Sequence, residues 1–99
     1  MKVIKDLVDK IDDELCDAKQ YAEDYLYCKS AGEIKFHKYY FDMAQDELRH
    51  AMLLHEIAVA KIEQLNQVYT APESMKEVWN KSHAEYVEKT AWIKKMLEM

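Results

Sequence analysis

Glu14, Glu47 and His50 are the residues whose types and spacing point most directly to chemistry. Glu14 falls within the series Ile11, Glu14, Ala18, Tyr21, Tyr25, whose steps of three and four residues trace one face of a helix. Glu47 falls in the same way within Tyr40, Ala44, Glu47, Ala51, Leu54. An ionised carboxylate on an apolar seam is costly unless it is paired or protonated, so both positions call for a partner. A cation is the simplest partner common to the two. His50 follows Glu47 by three residues, so one helical turn offers an oxygen and a nitrogen ligand side by side, in the Glu-x-x-His pattern of carboxylate di-metal sites. The alternative is a structural cluster in which the glutamates are satisfied by lysine, histidine or water.

These residues need helices to position them. Ile4, Leu7, Val8, Ile11, Leu15, Ala18, Tyr21, Ala22 and Tyr25 keep three-four spacing and predict a first helix over residues 3–29. Ser30-Ala31-Gly32 follows, and Gly32, the one glycine in the chain, suits a left-handed turn at a helix end. A second helix is expected over 33–67, with Phe36, Tyr40, Ala44, Ala51, Leu54, Ala58, Ile62 and Leu65 as its stripe. Glu14 and Glu47 then stand at matching heights on opposite arms of an antiparallel hairpin, because both helices rise equally per residue. Thr70-Ala71-Pro72-Glu73 has the form of a capping box with proline in the first turn and predicts a third helix over 73–97. That helix has a looser stripe of Met75, Val78, Trp79, Tyr86, Ile93 and Leu97, with Ser82 and Lys89 on the same face. The expected fold is all-α, one domain over residues 1–99, with no internal repeat or linker.

Composition narrows the function. One glycine, one proline and 49% hydrophobic residues favour helices and leave no glycine-rich loop to wrap a phosphate. Serine-nucleophile motifs and Cys-x-x-Cys zinc pairs are also absent. A net charge of −5 argues against nucleic acid as a partner and is compatible with attracting cations. Residues 1–10 alternate charged and apolar types, and no stretch has membrane-spanning length, so a cytoplasmic protein with no membrane partner is expected. Cys16 and Cys28 lie too far apart on one helix for a disulfide and read as buried thiols.

Several neighbours have two readings each. Tyr21 and Tyr40 lie two turns closer to the hairpin turn than the glutamates, where they either pack in the core or hydrogen-bond the ligand carboxylates. Asp17 and Asp46 either guide cations inward or simply belong to a solvated face. His83, near Glu85 and Glu88, joins a second metal position only if the third helix packs over the site. His37 and His55 read as surface or rim residues, and Met43, Met52, Met75, Met96, Trp79 and Trp92 as packing between helices or chains.

The segments Glu14-Leu-Cys-Asp-Ala-Lys-Gln-Tyr21 and Asp46-Glu47-Leu-Arg-His50 resemble the ferritin-like superfamily, particularly the rubrerythrin-type erythrin domain and the short encapsulated ferritins. The resemblance covers the first two helices. In that family a helix-one glutamate followed seven residues on by tyrosine, then a Glu-x-x-His, marks iron ligands, and Glu14, Tyr21, Glu47 and His50 match. The resemblance implies that Glu47 bridges two metals while Glu14 and His50 bind one each. Full-length ferritin-like bundles carry four helices and two such half-sites, whereas this chain has three expected helices and one Glu-x-x-His. A homodimer completing a four-helix ferritin-like bundle, with iron at its interface, is the arrangement implied.

The expected function is therefore binding of Fe(II) and its oxidation by oxygen or peroxide, with Glu14, Glu47 and His50 as catalytic and metal-binding residues. Manganese or zinc accept the same ligands. The rival expectation is a non-catalytic helical interaction module whose long second helix zips to a partner.

Overall fold

The computed structural model describes residues 2–99; Met1, the first residue of the expected domain, lies outside the described residues. Three helices, α1 (Lys2–Ser30), α2 (Ile34–Asn66) and α3 (Glu73–Glu98), make up the fold, and the described residues contain no strand. No helix among them is long and apolar enough to cross a membrane.

The turn between α1 and α2 follows from one residue. Gly32 has φ +76°, a left-handed conformation that a Cβ disfavours. Glu33 N–H donates to the Cys28 carbonyl at 2.8 Å and Gly32 N–H to that of Lys29 at 3.2 Å, the paired bonds of a Schellman cap. The cap satisfies the last carbonyls of α1 and reverses the chain within a few residues.

The two arms then pack through a seam of small residues. Ala18 and Ala22 on α1 and Ala44 and Ala51 on α2 are fully buried, so the helices meet without bulky side chains between them. Ile11, Leu15, Tyr25 and Leu48 flank this seam, and Ile93, Met96 and Leu97 of α3 close it from one side. A second cluster joins Ile4 and Val8 to Ala71 and Met75, so α3 begins near the start of α1. It runs parallel to α1, and at its far end Lys29 Nζ donates to the Met99 carbonyl at 2.7 Å. The whole is an elongated up-down-up bundle, 55 × 18 × 17 Å.

Three expectations need correction. Thr70 does not cap α3: Pro72 occupies the N-cap position and accepts from the Met75 and Lys76 amides at 3.1 and 3.2 Å, which leaves Thr70 outside the helix. Phe36 and Val78 are exposed, while Leu48, absent from the expected stripe, is buried. Cys16 is exposed and Cys28 half-buried, because the neighbouring Leu15 takes the place in the seam; both thiols are free. Of the residues expected to pack between helices or chains, Met75 and Met96 are buried within the chain, while Met43, Met52 and Trp92 are exposed on it.

Candidate metal centre

Glu14 and Glu47 stand opposite one another because α1 and α2 run antiparallel from a tight turn with equal rise per residue, so positions at similar distances from the turn share a level. The register is visible in the side chains nearer the turn. Tyr21 lies seven residues past Glu14 and Tyr40 seven before Glu47, and their rings stack with centroids 6.4 Å apart. One step further on, Tyr25 stacks on His37 at 5.5 Å.

At the glutamate level three side chains converge. His50 Nδ1 lies 3.7 Å from Glu14 Oε2 and 3.9 Å from Glu47 Oε2, and one ligand atom from each residue lies within 4.8 Å of the others. Both contacts exceed hydrogen-bond length. They suit donors around a shared ion, since metal–ligand bonds of about 2.1 Å separate two donors by roughly 3 to 4 Å. Two carboxylates and an imidazole are also a donor set that Fe(II), Mn(II) and Zn(II) accept.

The carboxylates are less deeply buried than the seam reading implies. The Glu14 and Glu47 side chains are 28% and 21% exposed and that of His50 is 50% exposed. Leu15 and Leu48, one residue along each helix, occupy the seam itself and turn the glutamates toward its open edge. Asp17 and Asp46 lie exposed to solvent on the same stretches. Tyr21 and Tyr40 pack against the core cluster.

The open edge is apolar on either side of the ligands. On α2, Tyr40, Glu47 and Leu54 form a half-buried row at seven-residue spacing, beside an exposed row of Phe36, Met43, His50 and Ile57. Leu7, Glu14, Tyr21 and Cys28 form the corresponding row on α1. The seven-residue spacing was present in the sequence but was hidden beneath the three-four pattern that also fits α2.

Other expected contributors lie elsewhere. His83 does not join the glutamates; it pairs with His55, with Nδ1 and Nε2 2.9 Å apart. His55 is half-buried against Trp79 and Tyr86, and His37 half-buried against Tyr25, so of the surface and rim positions expected for them both take the rim. A groove of about 330 Å³ between α1 and α3 is lined by Asp12, Cys16, Lys89 and Trp92 among others, and by none of the three ligands. Burial there pushes the Asp12 carboxyl up from its ordinary value, partly opposed by Lys89.

No family model matches the chain, and no curated protein or solved structure matches it.

Proposed function

We propose that this protein is a ferritin-like di-iron protein that binds Fe(II) and oxidises it with oxygen or peroxide, acting as a homodimer with the site between its two copies. The observation that carries this reading is the convergence of Glu14, Glu47 and His50, from two helices, within 4.8 Å at an open apolar edge. Iron is the substrate and supplies the redox chemistry: two ferrous ions give one electron each, and peroxide, or oxygen taken to peroxide, accepts the pair.

The chain's part is geometry and charge. The ferritin-like resemblance would give the bridging role to Glu47, whose two carboxylate oxygens could hold one ion each. Glu14 and the neutral His50 imidazole would hold one ion each. A single chain offers two carboxylates and one imidazole; a two-fold partner doubles this to the four glutamates and two histidines typical of di-iron carboxylate bundles. Support for that partner comes from the exposed row Phe36, Met43, His50 and Ile57, whose spacing is that of a helix seam covered by a second helix. Manganese or zinc would bind through the same atoms.

The test is to purify the protein, load it anaerobically with Fe(II), admit air, and follow ferric absorbance alongside metal content and sedimentation. Paired iron per dimer and a rise in ferric absorbance are the expected results. Protein that takes up no iron overturns the reading. The apolar row also favours a second reading, a non-catalytic oligomerisation module with a structural metal; a dimer that binds metal without oxidising iron would select it.

A further inference from the structure

Beyond the glutamates, α2 and α3 meet at a second group of metal-binding side chains. His55 Nε2 and His83 Nδ1 lie 2.9 Å apart, from residues 28 apart in sequence. Their rings are tilted by 34° with centroids at 5.0 Å. The His55 ring is held in place: it stacks on Tyr86 at 4.3 Å and 15°, and Trp79 sits against it at 5.1 Å. His83 lies at the exposed rim of this cluster.

With one imidazole N–H between them, the two nitrogens make a hydrogen bond. With both nitrogens deprotonated, the same atoms are two ligands presented by two helices. Burial, then the neighbouring His83, pushes the His55 pKa down, which favours the neutral form that binds metal. Metal–nitrogen bonds of about 2.1 Å hold two adjacent nitrogens roughly 3.0 to 3.4 Å apart. The hydrogen-bonded pair at 2.9 Å therefore needs only a small opening, with loss of the shared proton, for one ion to take both nitrogens.

We propose that His55 and His83 form a two-imidazole site for a late divalent transition-metal ion such as Ni2+ or Cu2+, ions that imidazole favours, which clips α3 to α2, with water completing the coordination. Stacking on Tyr86 and Trp79 fixes one ligand before the ion arrives and lowers the cost of ordering it. An ion bridging the two helices binds the folded chain and not the unfolded one, in which the histidines rarely meet, so it stabilises the fold in proportion to its free concentration. The site is separate from the carboxylate centre and does not depend on the function proposed for it.

The experiment uses the untagged full chain with Ni2+ alone as probe, comparing thermal midpoints in Ni2+ and in chelator. Wild type is compared with the Glu14→Gln/Glu47→Gln/His50→Gln triple variant, which lacks the other ligands, and with that triple variant carrying His83→Gln as well. The expected result is a rise of several degrees in wild type and in the triple variant, and none once His83→Gln is added to the triple variant. Ni2+ should also broaden the ring resonances of His55 and His83 in wild type, a measurement that needs no variant to fold. Overturning results are a missing rise in the triple variant, a rise that survives when His83→Gln is added to it, or broadening confined to His50.

Discussion

His50 Nδ1 lies as close to Glu14 Oε2, on the other helix, as to Glu47 Oε2 on its own: 3.7 Å against 3.9 Å. The pattern Glu-x-x-His explains only the second distance. The first depends on the turn at Gly32 and on the register it sets, so the candidate centre belongs to the hairpin and not to α2 alone.

Substitution can separate ligands from bystanders. Removing an outer partner of a metal site typically weakens binding about 10- to 100-fold, so losing a ligand should cost at least that much. Glu47→Ala is expected to weaken Fe(II) binding beyond tenfold and to halve or abolish its stoichiometry, whereas Asp46→Asn, at an exposed neighbouring acid, should leave both near wild type. Anaerobic iron titration reads the difference. Equal losses in the two variants would reduce the centre to diffuse acidic attraction.

The exposed row on α2 makes a separate prediction. Met43 and Ile57 lie seven residues to either side of His50, both exposed on the edge that would face a second copy. Met43→Glu/Ile57→Glu places charge on that edge without touching the buried seam, and desolvating such charges in an interface is costly. Sedimentation velocity should show a dimer for wild type and a monomer for the double variant, with paired iron lost but helicity kept. A monomeric wild type would remove the shared-site arrangement.

How much of this was legible in the sequence differs from helix to helix. Of the nine α1 positions expected in the core, all but Tyr21 are buried, because α1 lies against both other helices and nearly every apolar position has a neighbour. On α2 the same spacing fits two stripes. Ala44, Leu48, Ala51 and Ala58 face into the fold, while Phe36, Met43 and Ile57 do not, and periodicity cannot say which stripe has a partner within the chain. The matched heights of Glu14 and Glu47 were readable, since they need only equal rise and a tight turn. Their partial exposure was not, because it depends on which of two adjacent residues, Glu14 or Leu15, takes the seam. The His55–His83 pair was hidden for another reason: it forms across the connection between Asn66 and Glu73, whose path no local pattern specifies. Trp79, His83 and Tyr86, at steps of four and three on α3, were the available hint.

Close approach of α1 and α2 should be sensitive to added volume. Ala51 is fully buried, opposite a seam that also contains Ala18 and Ala22. Ala51→Leu is expected to destabilise by about 1–3 kcal/mol through overpacking. Ile11→Ala, which leaves a void at another fully buried position, should cost about 2–5 kcal/mol. Urea unfolding measures both. A neutral Ala51→Leu would mean that the arms separate readily at the level where the ligands must converge.

His55 supplies a pH dependence whose direction is fixed. Burial first, and then His83, lowers its pKa from the ordinary 6.5, while Glu56 on α2 acts in the opposite sense. Tyr86, stacked on it from α3, stays a neutral phenol because burial and Glu56 push its own pKa up. Between the lowered folded value and the ordinary one, the unfolded chain binds more protons, so stability rises with pH there. It is fully present above the ordinary imidazole value and is lost as pH falls through the folded one. The urea midpoint of metal-free protein should therefore drop between about pH 7.5 and pH 5.5, and His55→Gln, which has no proton to gain, should flatten that drop. An unchanged slope in the variant would assign the acid sensitivity to another group and detach it from the α2–α3 joint.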